Sequence, residues 1–356
     1  MNQLRIALPL LSGITCFVMS TTSLAAETQG VSFSHNDWEL ACDNTRTCRA
    51  AGYNADGDDM AVSVLLTRQA GPSQAVIATL KIGEYGDNEA LQKLPSKFKV
   101  SMRINQQVLG TLNIDKSNLE TRLNQQQTDV LITALHQDSE IVWSIGKTSW
   151  KLSDKGAAAV LLKMDEFQKR LNSIGALYKK GPLNEDKVAP AIATPIVHAA
   201  PVLANKPDDT KLLKIKALQA ALLASIKEDD CSDITEKRFK EDSLSINRLS
   251  SHSVLISTTC WMAAYNQGVA YWVVDDKAPY SAELLTTDAS DYADGKISFA
   301  QKGRGLGDCW SSGTWTWDGK KFVPTSASTS GMCKLIAPGG AWDLPTLVTE
   351  VRKAGH

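Results

Sequence analysis

The sequence is short of the features that most directly name an activity. It has no Gly-x-Ser-x-Gly, no His-Glu-x-x-His, no phosphate-binding glycine loop, no dinucleotide fingerprint and no Cys-x-x-Cys. The familiar nucleophile, zinc, nucleotide and thiol-redox signatures are therefore missing. Histidine is sparse: His35, His136, His198, His252 and His356 are scattered, and none stands at ligand spacing from a cysteine. Excess charge is lacking too. The net value is -1 with both signs spread along the chain, so no long-range field steers it toward nucleic acid or an anionic membrane. Beyond the opening residues, no apolar run reaches the roughly 20 residues of a spanning helix.

What is present begins with a leader. Residues 1–26 have a basic start at Arg5, an apolar stretch from Ile6 to Met19 and a small-residue end at Ser23-Leu24-Ala25-Ala26, the three parts of a cleaved secretory signal. The apolar stretch holds Pro9, Ser12, Gly13 and Thr15 and is too short to anchor the chain. Cys16 follows Gly13-Ile14-Thr15, which lacks the small residues of a lipid-attachment signal. The expectation is an exported mature chain with no membrane span and, without Arg5, a net charge of -2.

Composition divides the remainder at residues 181–209. This stretch, GPLNEDKVAPAIATPIVHAAPVLANKPDD, has five prolines and no apolar periodicity, so it reads as a semi-extended linker. It separates a first domain, 27–180, from a second, 210–356. In the first, Phe98, Val100, Met102 and Ile104 alternate with Lys97, Lys99, Ser101 and Arg103; Val62, Val64 and Leu66 alternate likewise, as do Val76, Ala78, Leu80 and Ile82. This is the period of half-buried strands. Trp38 to Cys42 and Thr47 to Ala50 read as two strands joined by Asp43-Asn44-Thr45-Arg46. The spacing of Val160, Met164, Phe167, Leu171, Ile174 and Tyr178 then predicts one amphipathic helix, capped by Ser153 or Asp154 and ended by Gly181-Pro182. In the second domain Leu212, Ile215, Leu218, Leu222 and Ile226 predict a helix from Lys211 to about Glu228, followed by short strands. Asp318-Gly319 between Thr314–Trp317 and Lys320–Val323 predicts a hairpin with a type I′ turn. The fold class is α+β and β-rich: two small antiparallel-sheet domains, each with one amphipathic helix.

Six cysteines follow the leader, an even set that export converts into bridges. Cys42 and Cys48 are alone in the first domain and pair, which removes about 2 kcal/mol of unfolded-state entropy. Cys231, Cys260, Cys309 and Cys333 admit three pairings. Sequence proximity favours Cys231 with Cys260 and Cys309 with Cys333, at about 3 kcal/mol each.

Candidate chemistry is thin. Asn54-Ala55-Asp56-Gly57-Asp58-Asp59 clusters oxygen ligands as calcium loops do, but lacks a terminal bidentate glutamate and reads as a turn. Asp288, Asp291 and Asp294 are weaker still. Ser144-Ile145-Gly146-Lys147 spells Ser-x-x-Lys on what alternates as a strand, and Gly303-Arg304-Gly305-Leu306-Gly307 lacks a following helix. No catalytic, cofactor-binding or metal residue is assigned. Six of nine tryptophans fall in the second domain: Trp261, Trp272, Trp310, Trp315, Trp317 and Trp342. Trp315 and Trp317 share one strand face, with Thr314 and Thr316 opposite, and core is the favoured reading. Exposed, such rings would stack on a sugar or anchor a protein. Trp310, Trp315 and Trp317, with Tyr265 and Asn266, form the candidate partner surface.

With these residues in view, the chain resembles a bacterial exported family known as domain of unknown function 1176. The resemblance runs through Asp37–Ala50, Met164-Asp165 with Gln168 and Arg170, Cys260, Ala264-Tyr265-Asn266, Gly307-Asp308-Cys309, and Gly313 through Trp317-Asp318-Gly319 to Phe322 and Cys333. More distantly, the first half is similar to invasion-associated locus B proteins. The resemblance implies a Gram-negative periplasmic setting and supplies no reaction. The expected role is a non-enzymatic binding or interaction module whose partner is an envelope protein or glycan. One alternative is an envelope glycan or peptide hydrolase, for which Asp308 and the pair Asp275-Asp276 are the nearby carboxylates, both read as solvated turns. The other is a periplasmic inhibitor of lysozyme-type enzymes, for which only Ser311-Ser312-Gly313 offers a loop.

Overall fold

The structure is a computed structural model and describes residues 30–58, 60–83, 89–227, 230–234, 239 and 243–353. The leader, Asp59 and Glu228 lie outside these residues. No helix among them is long and apolar enough to cross a membrane.

The first half opens as an antiparallel meander: β1 (Val31–His35), β2 (Trp38–Cys42), β3 (Cys48–Tyr53), β4 (Val62–Arg68) and β5 (Ile77–Ile82). A short helix, α1 (Glu89–Gln92), leads to the hairpin β6 (Lys97–Ile104) and β7 (Gln107–Asp115). Then follow β8 (Glu120–Arg122), α2 (Gln125–Ala134), the hairpin β9 (Ile141–Ile145) and β10 (Thr148–Leu152), and α3 (Ala157–Phe167). One sheet has the order β1-β2-β3-β4-β5-β8 and the other β10-β9-β6-β7. The alternating residues of β4, β5 and β6 point into one core with Trp38, Leu40, Trp143, Trp150, Val160, Leu161 and Met164.

α3 is shorter than the apolar spacing predicts. It starts after Gly156, while Ser153 and Asp154 instead accept from the amides of Lys155 and Ser139. It stops at Phe167, and Lys169 and Asn172 take positive φ of 57° and 61°, which turn the chain back on itself. Leu171 and Ile174 are consequently exposed. Helix α2 lies outside the predicted elements, although Asn124 and Gln127 form a complete capping box at its start.

The second half begins with β11 (Ile196–Ala199), α4 (Asp209–Leu212) and α5 (Lys216–Ala224). The single helix expected from Lys211 onward is broken at Ile215, whose ψ of 113° is extended. Next come β12 (Ser245–Arg248), β13 (Ser253–Met262), β14 (Gln267–Asp275) and β15 (Ala282–Ala289), a four-stranded antiparallel sheet in chain order. A five-stranded sheet follows, also in chain order: β16 (Asp291–Ala293), β17 (Lys296–Lys302), β18 (Trp310–Trp317), β19 (Phe322–Thr329) and β20 (Leu344–Val348). Finally β21 (Glu350–Lys353) pairs in parallel with β11.

α5 lays Leu218 and Leu222 on one face of the four-stranded sheet, against Ile246, Val254, Ile256 and Trp272. The sheet's other face meets the five-stranded sheet through Leu255, Tyr271, Ile297, Trp317 and Phe322. The hairpin at Asp318-Gly319 is present with a longer loop than a type I′ turn. Its closing pair is Trp317 with Phe322, because Asp318 Oδ1 accepts from both the Lys320 and Lys321 amides.

Residues 181–209, expected as a linker, are extended but hydrogen-bonded to both halves. The Ala189 amide donates to Gln168 O, Arg46 Nη1 to Pro190 O, and Ala200 N to Trp317 O. Glu185 pairs with the buried Arg170, which also reaches Gln168 Oε1 and Gly71 O. Burial, with Arg170 alongside, pushes the Arg68 guanidinium down to about 10, and Asp165 and Glu185 offset part of that cost.

Candidate functional site

The middle of the first half's larger sheet, from β2 to β4, is covered on both faces. Its outer face, Ala41, Ala51 and Tyr53, packs on Ile336, Ala341 and Leu344 from the segment between β19 and β20 and the start of β20. That explains why β2 and β3 carry small apolar residues where half-buried strands would carry polar ones. Polar contacts fix the register of this seam. Glu39 Oε1 accepts from Tyr53 Oη at 2.5 Å and from the Met332 amide at 2.7 Å. Lys334 Nζ reaches Asp37 at 2.8 Å and Asp56 at 2.6 Å. Trp342 Nε1 donates to Ser63 Oγ, and Asn44 both donates to and accepts from the Val348 backbone. Gly331 sits so close that a Cβ would stand 2.3 Å from Tyr53 Oη, at a φ of +96° that already favours glycine.

Electrostatics follow from this burial. Glu39 is held above the ordinary carboxylate value by desolvation, against the pull of Tyr53 and the Met332 amide. Burial, reinforced by Glu39, pushes the Tyr53 hydroxyl well up. Next to these groups an open cavity of about 390 Å³ is lined by Asp56, Asp58, Glu89, Arg304, Cys333 and Lys334 among others. Asn54 to Asp58, the loop weighed for calcium, lies here, and the Lys334 ammonium occupies its carboxylate side.

The structure joins Cys42 to Cys48 across paired strands, Cys231 to Cys260, and Cys309 to Cys333. The second ties the chain beyond α5 to β13; the third ties the start of β18 to the seam segment. Asp308, Cys309 and Cys333 bring a carboxylate and two sulfurs within 4.8 Å, but the sulfurs are bonded to each other and offer no thiolate.

Asp308 is buried, which corrects its reading as a solvated turn. Burial alone would raise its carboxyl; Arg304 through two contacts and the Leu335 amide outweigh that and hold it low. Asp276 is likewise engaged, by Arg248 at 3.0 Å, so it too is no free turn carboxylate. Asp288 accepts from Trp261 Nε1. Ser144 lies in β9 and Lys147 in the β9–β10 turn, not at a helix start.

Of the candidate partner residues, the structure brings three together. Tyr265 lies against Gly305, Asn266 bonds both the amide and the carbonyl of Lys302, and the Lys302 ammonium stands 5.4 Å above the Trp310 ring. Trp310 Nε1 donates to Gly307 O. Met262, Tyr265 and Leu306 are 66%, 47% and 55% exposed, and Trp310 is half-buried. Trp317 is instead core, and Trp315 is half-buried against Phe299, so both lie apart from that patch. Exposed Met262 and Leu306 were missed because nothing local marks an apolar side chain as left outside.

These features define a β-rich protein stapled by three disulfides, with its two halves locked along one seam and an aromatic patch at the end of the β13–β14 hairpin. The chain belongs to the family described as Protein of unknown function (DUF1176), whose model matches residues 32–349. It is similar to the uncharacterized protein YpfG of Escherichia coli (strain K12), at 24% identity over 342 residues that cover 88% of this chain and 91% of that protein. No solved structure matches.

Proposed function

We propose that the protein is a non-enzymatic binding module of the bacterial periplasm, and that its partner is another envelope protein docking at Met262, Tyr265, Leu306 and Trp310. The observation that carries this reading is the exposure of that patch beside a turn that Asn266 hydrogen-bonds to Lys302. Met and aromatic side chains on a hydrogen-bonded support are what protein interfaces enrich, whereas for a sugar the patch offers little polar: Asn266 is spent on the Lys302 backbone, which leaves the Lys302 ammonium over Trp310. The periplasmic setting is supported by the leader pattern and the three bridges, and a bacterial one by the Escherichia coli relative. Kinship of the first half with invasion-associated locus B proteins is part of the proposal, supported by Trp38, the Cys42–Cys48 hairpin and the closing helix α3. The hydrolase alternative loses support, since Asp308 and Asp276 are both committed to arginines.

A photocrosslinking residue at position 265, compared in cells with one at exposed Val108 of the first half, tests the reading. A discrete adduct from 265 that disappears in Met262→Ser, with stability changed by less than about 0.5 kcal/mol, supports it. Absence of an adduct, or a matching one from 108, overturns it. Binding to purified envelope glycan that Trp310→Ala abolishes would move the partner to the glycan class. Peptidoglycan clearing, alone and with added lysozyme, reads out the hydrolase and inhibitor alternatives.

A further inference from the structure

The three bridges are not equivalent to a thiol arriving from solvent. Cys42 and Cys48 are fully buried, and Cys231 and Cys260 are 5% and 0% exposed. Cys309 is buried as well, but Cys333 is only half-buried and lines the cavity at the seam. Gly303 passes directly over this bridge: a Cβ there would stand 2.7 Å from Cys309 Sγ and 3.1 Å from Cys333 Sγ, so backbone closes that side and the approach left is from the cavity that Cys333 lines. Arg304 and Lys334 line the same cavity as Asp56, Asp58 and Glu89; paired with Asp308 and with Asp37 and Asp56, the two cations offset the carboxylates that an incoming thiolate would otherwise meet.

We propose that Cys309–Cys333 is a thiol–disulfide exchange site whose substrate is the dithiol of a partner oxidoreductase, attacking at Cys333. The partner thiolate forms a mixed disulfide with Cys333 Sγ as the Cys309–Cys333 bond breaks, and Cys309 leaves as a thiolate and takes a proton. The partner's second thiolate then attacks its own sulfur in the mixed disulfide and releases Cys333, which is protonated in turn. The partner gives up two electrons and becomes a disulfide; the bridge takes the same two and becomes two thiols. Run in reverse, the steps install the bridge.

What the exchange governs is the seam. Cys333 lies between Met332 and Lys334, whose amide and ammonium engage Glu39, Asp37 and Asp56 of the first half. The bridge fixes that tripeptide to the start of β18, so its opening removes the covalent tie and leaves the tripeptide held to the second half through its neighbours, Ser330 on Trp310 and the Leu335 amide on Asp308.

The full oxidised protein, kept native, is incubated with a thioredoxin-type dithiol protein whose resolving cysteine is replaced by serine, and the trapped conjugate is mapped by peptide mass spectrometry. The expected product is a mixed disulfide on Cys333. No conjugate, or one on any other cysteine, overturns the proposal. In parallel, graded dithiothreitol followed by alkylation should label Cys309 and Cys333 about tenfold faster than the other four; simultaneous labelling of all six overturns it. Amide hydrogen exchange across 330–336 should accelerate in the selectively reduced protein, and unchanged protection would overturn the link to the seam.

Discussion

The two halves bury twisted sheets by different means. In the first, two sheets face each other across one continuous core running from Trp38 to Leu177, and the bridge it contains spans a sequence separation of only 6. In the second, a helix, a sheet and another sheet are stacked around two smaller cores, and the bridges close separations of 29 and 24. The contrast teaches where covalent ties are placed. A core that excludes water over a large area holds itself; thin layers that share few apolar side chains rely on constraint of the unfolded chain.

The largest test of that contrast is Trp38→Ala. The ring is fully buried and its Nε1 donates to Ser153 O at 2.8 Å, so the loss should be about 3–5 kcal/mol in urea unfolding followed by circular dichroism. A loss below about 1 kcal/mol would break the picture of a self-sufficient first core. Next, Cys231→Ala with Cys260→Ala should cost about 3 kcal/mol, against about 2 for Cys42→Ala with Cys48→Ala. The reverse order under identical conditions would remove the distinction between the halves.

Gly331→Ala probes the seam that joins them. The added Cβ meets Tyr53 Oη in a backbone conformation alanine disfavours, so about 1–3 kcal/mol should be lost. The unfolding curve should also separate into two transitions, and an unchanged single transition would mean the seam does not couple the halves.

The smallest effect belongs to Glu39. Its carboxyl is raised by burial, so the folded state disfavours the ionised form. Its contribution to stability is fully present below the unfolded-state value and is lost as pH rises through the raised one. Glu39→Gln removes that dependence, and the variant's melting temperature should gain on the wild type between acid and neutral pH. A difference that does not change with pH would contradict it.

Much of the first half was legible because β5 and β6 each bury one face, which alternation reports directly, and β4 keeps the same apolar alternation although Ser63 on its other face is buried too. The helices were less so. Leu171 and Ile174 continue a helical spacing, yet Arg170 anchors to Gly71 O and Glu185, and the chain turns there instead. A tertiary ion pair overrides local periodicity in such a case. For α2 the signal was present in Asn124 and Gln127 and needed only the capping rule. The seam was out of reach, since Glu39 and Met332 are 293 residues apart and nothing in either neighbourhood names the other. The aromatic patch was half legible: Tyr265, Asn266 and Trp310 stand together in it, but whether a tryptophan faces core or solvent depends on which sheet covers it.

Chain order gives the seam one more consequence. Its closing contacts, Tyr53 with Met332, Ser63 with Trp342 and Asn44 with Val348, join residues 279, 279 and 304 apart. Contacts of such separation form late, because a long loop must close before they repay its entropy. A chain that emerges from its N-terminus therefore completes β2 and β3 well before their outer covering exists, and Ala41, Ala51 and Tyr53 face solvent until the last strands arrive. During that interval the half-made protein is at its stickiest, and the rate of chain delivery decides how long it lasts.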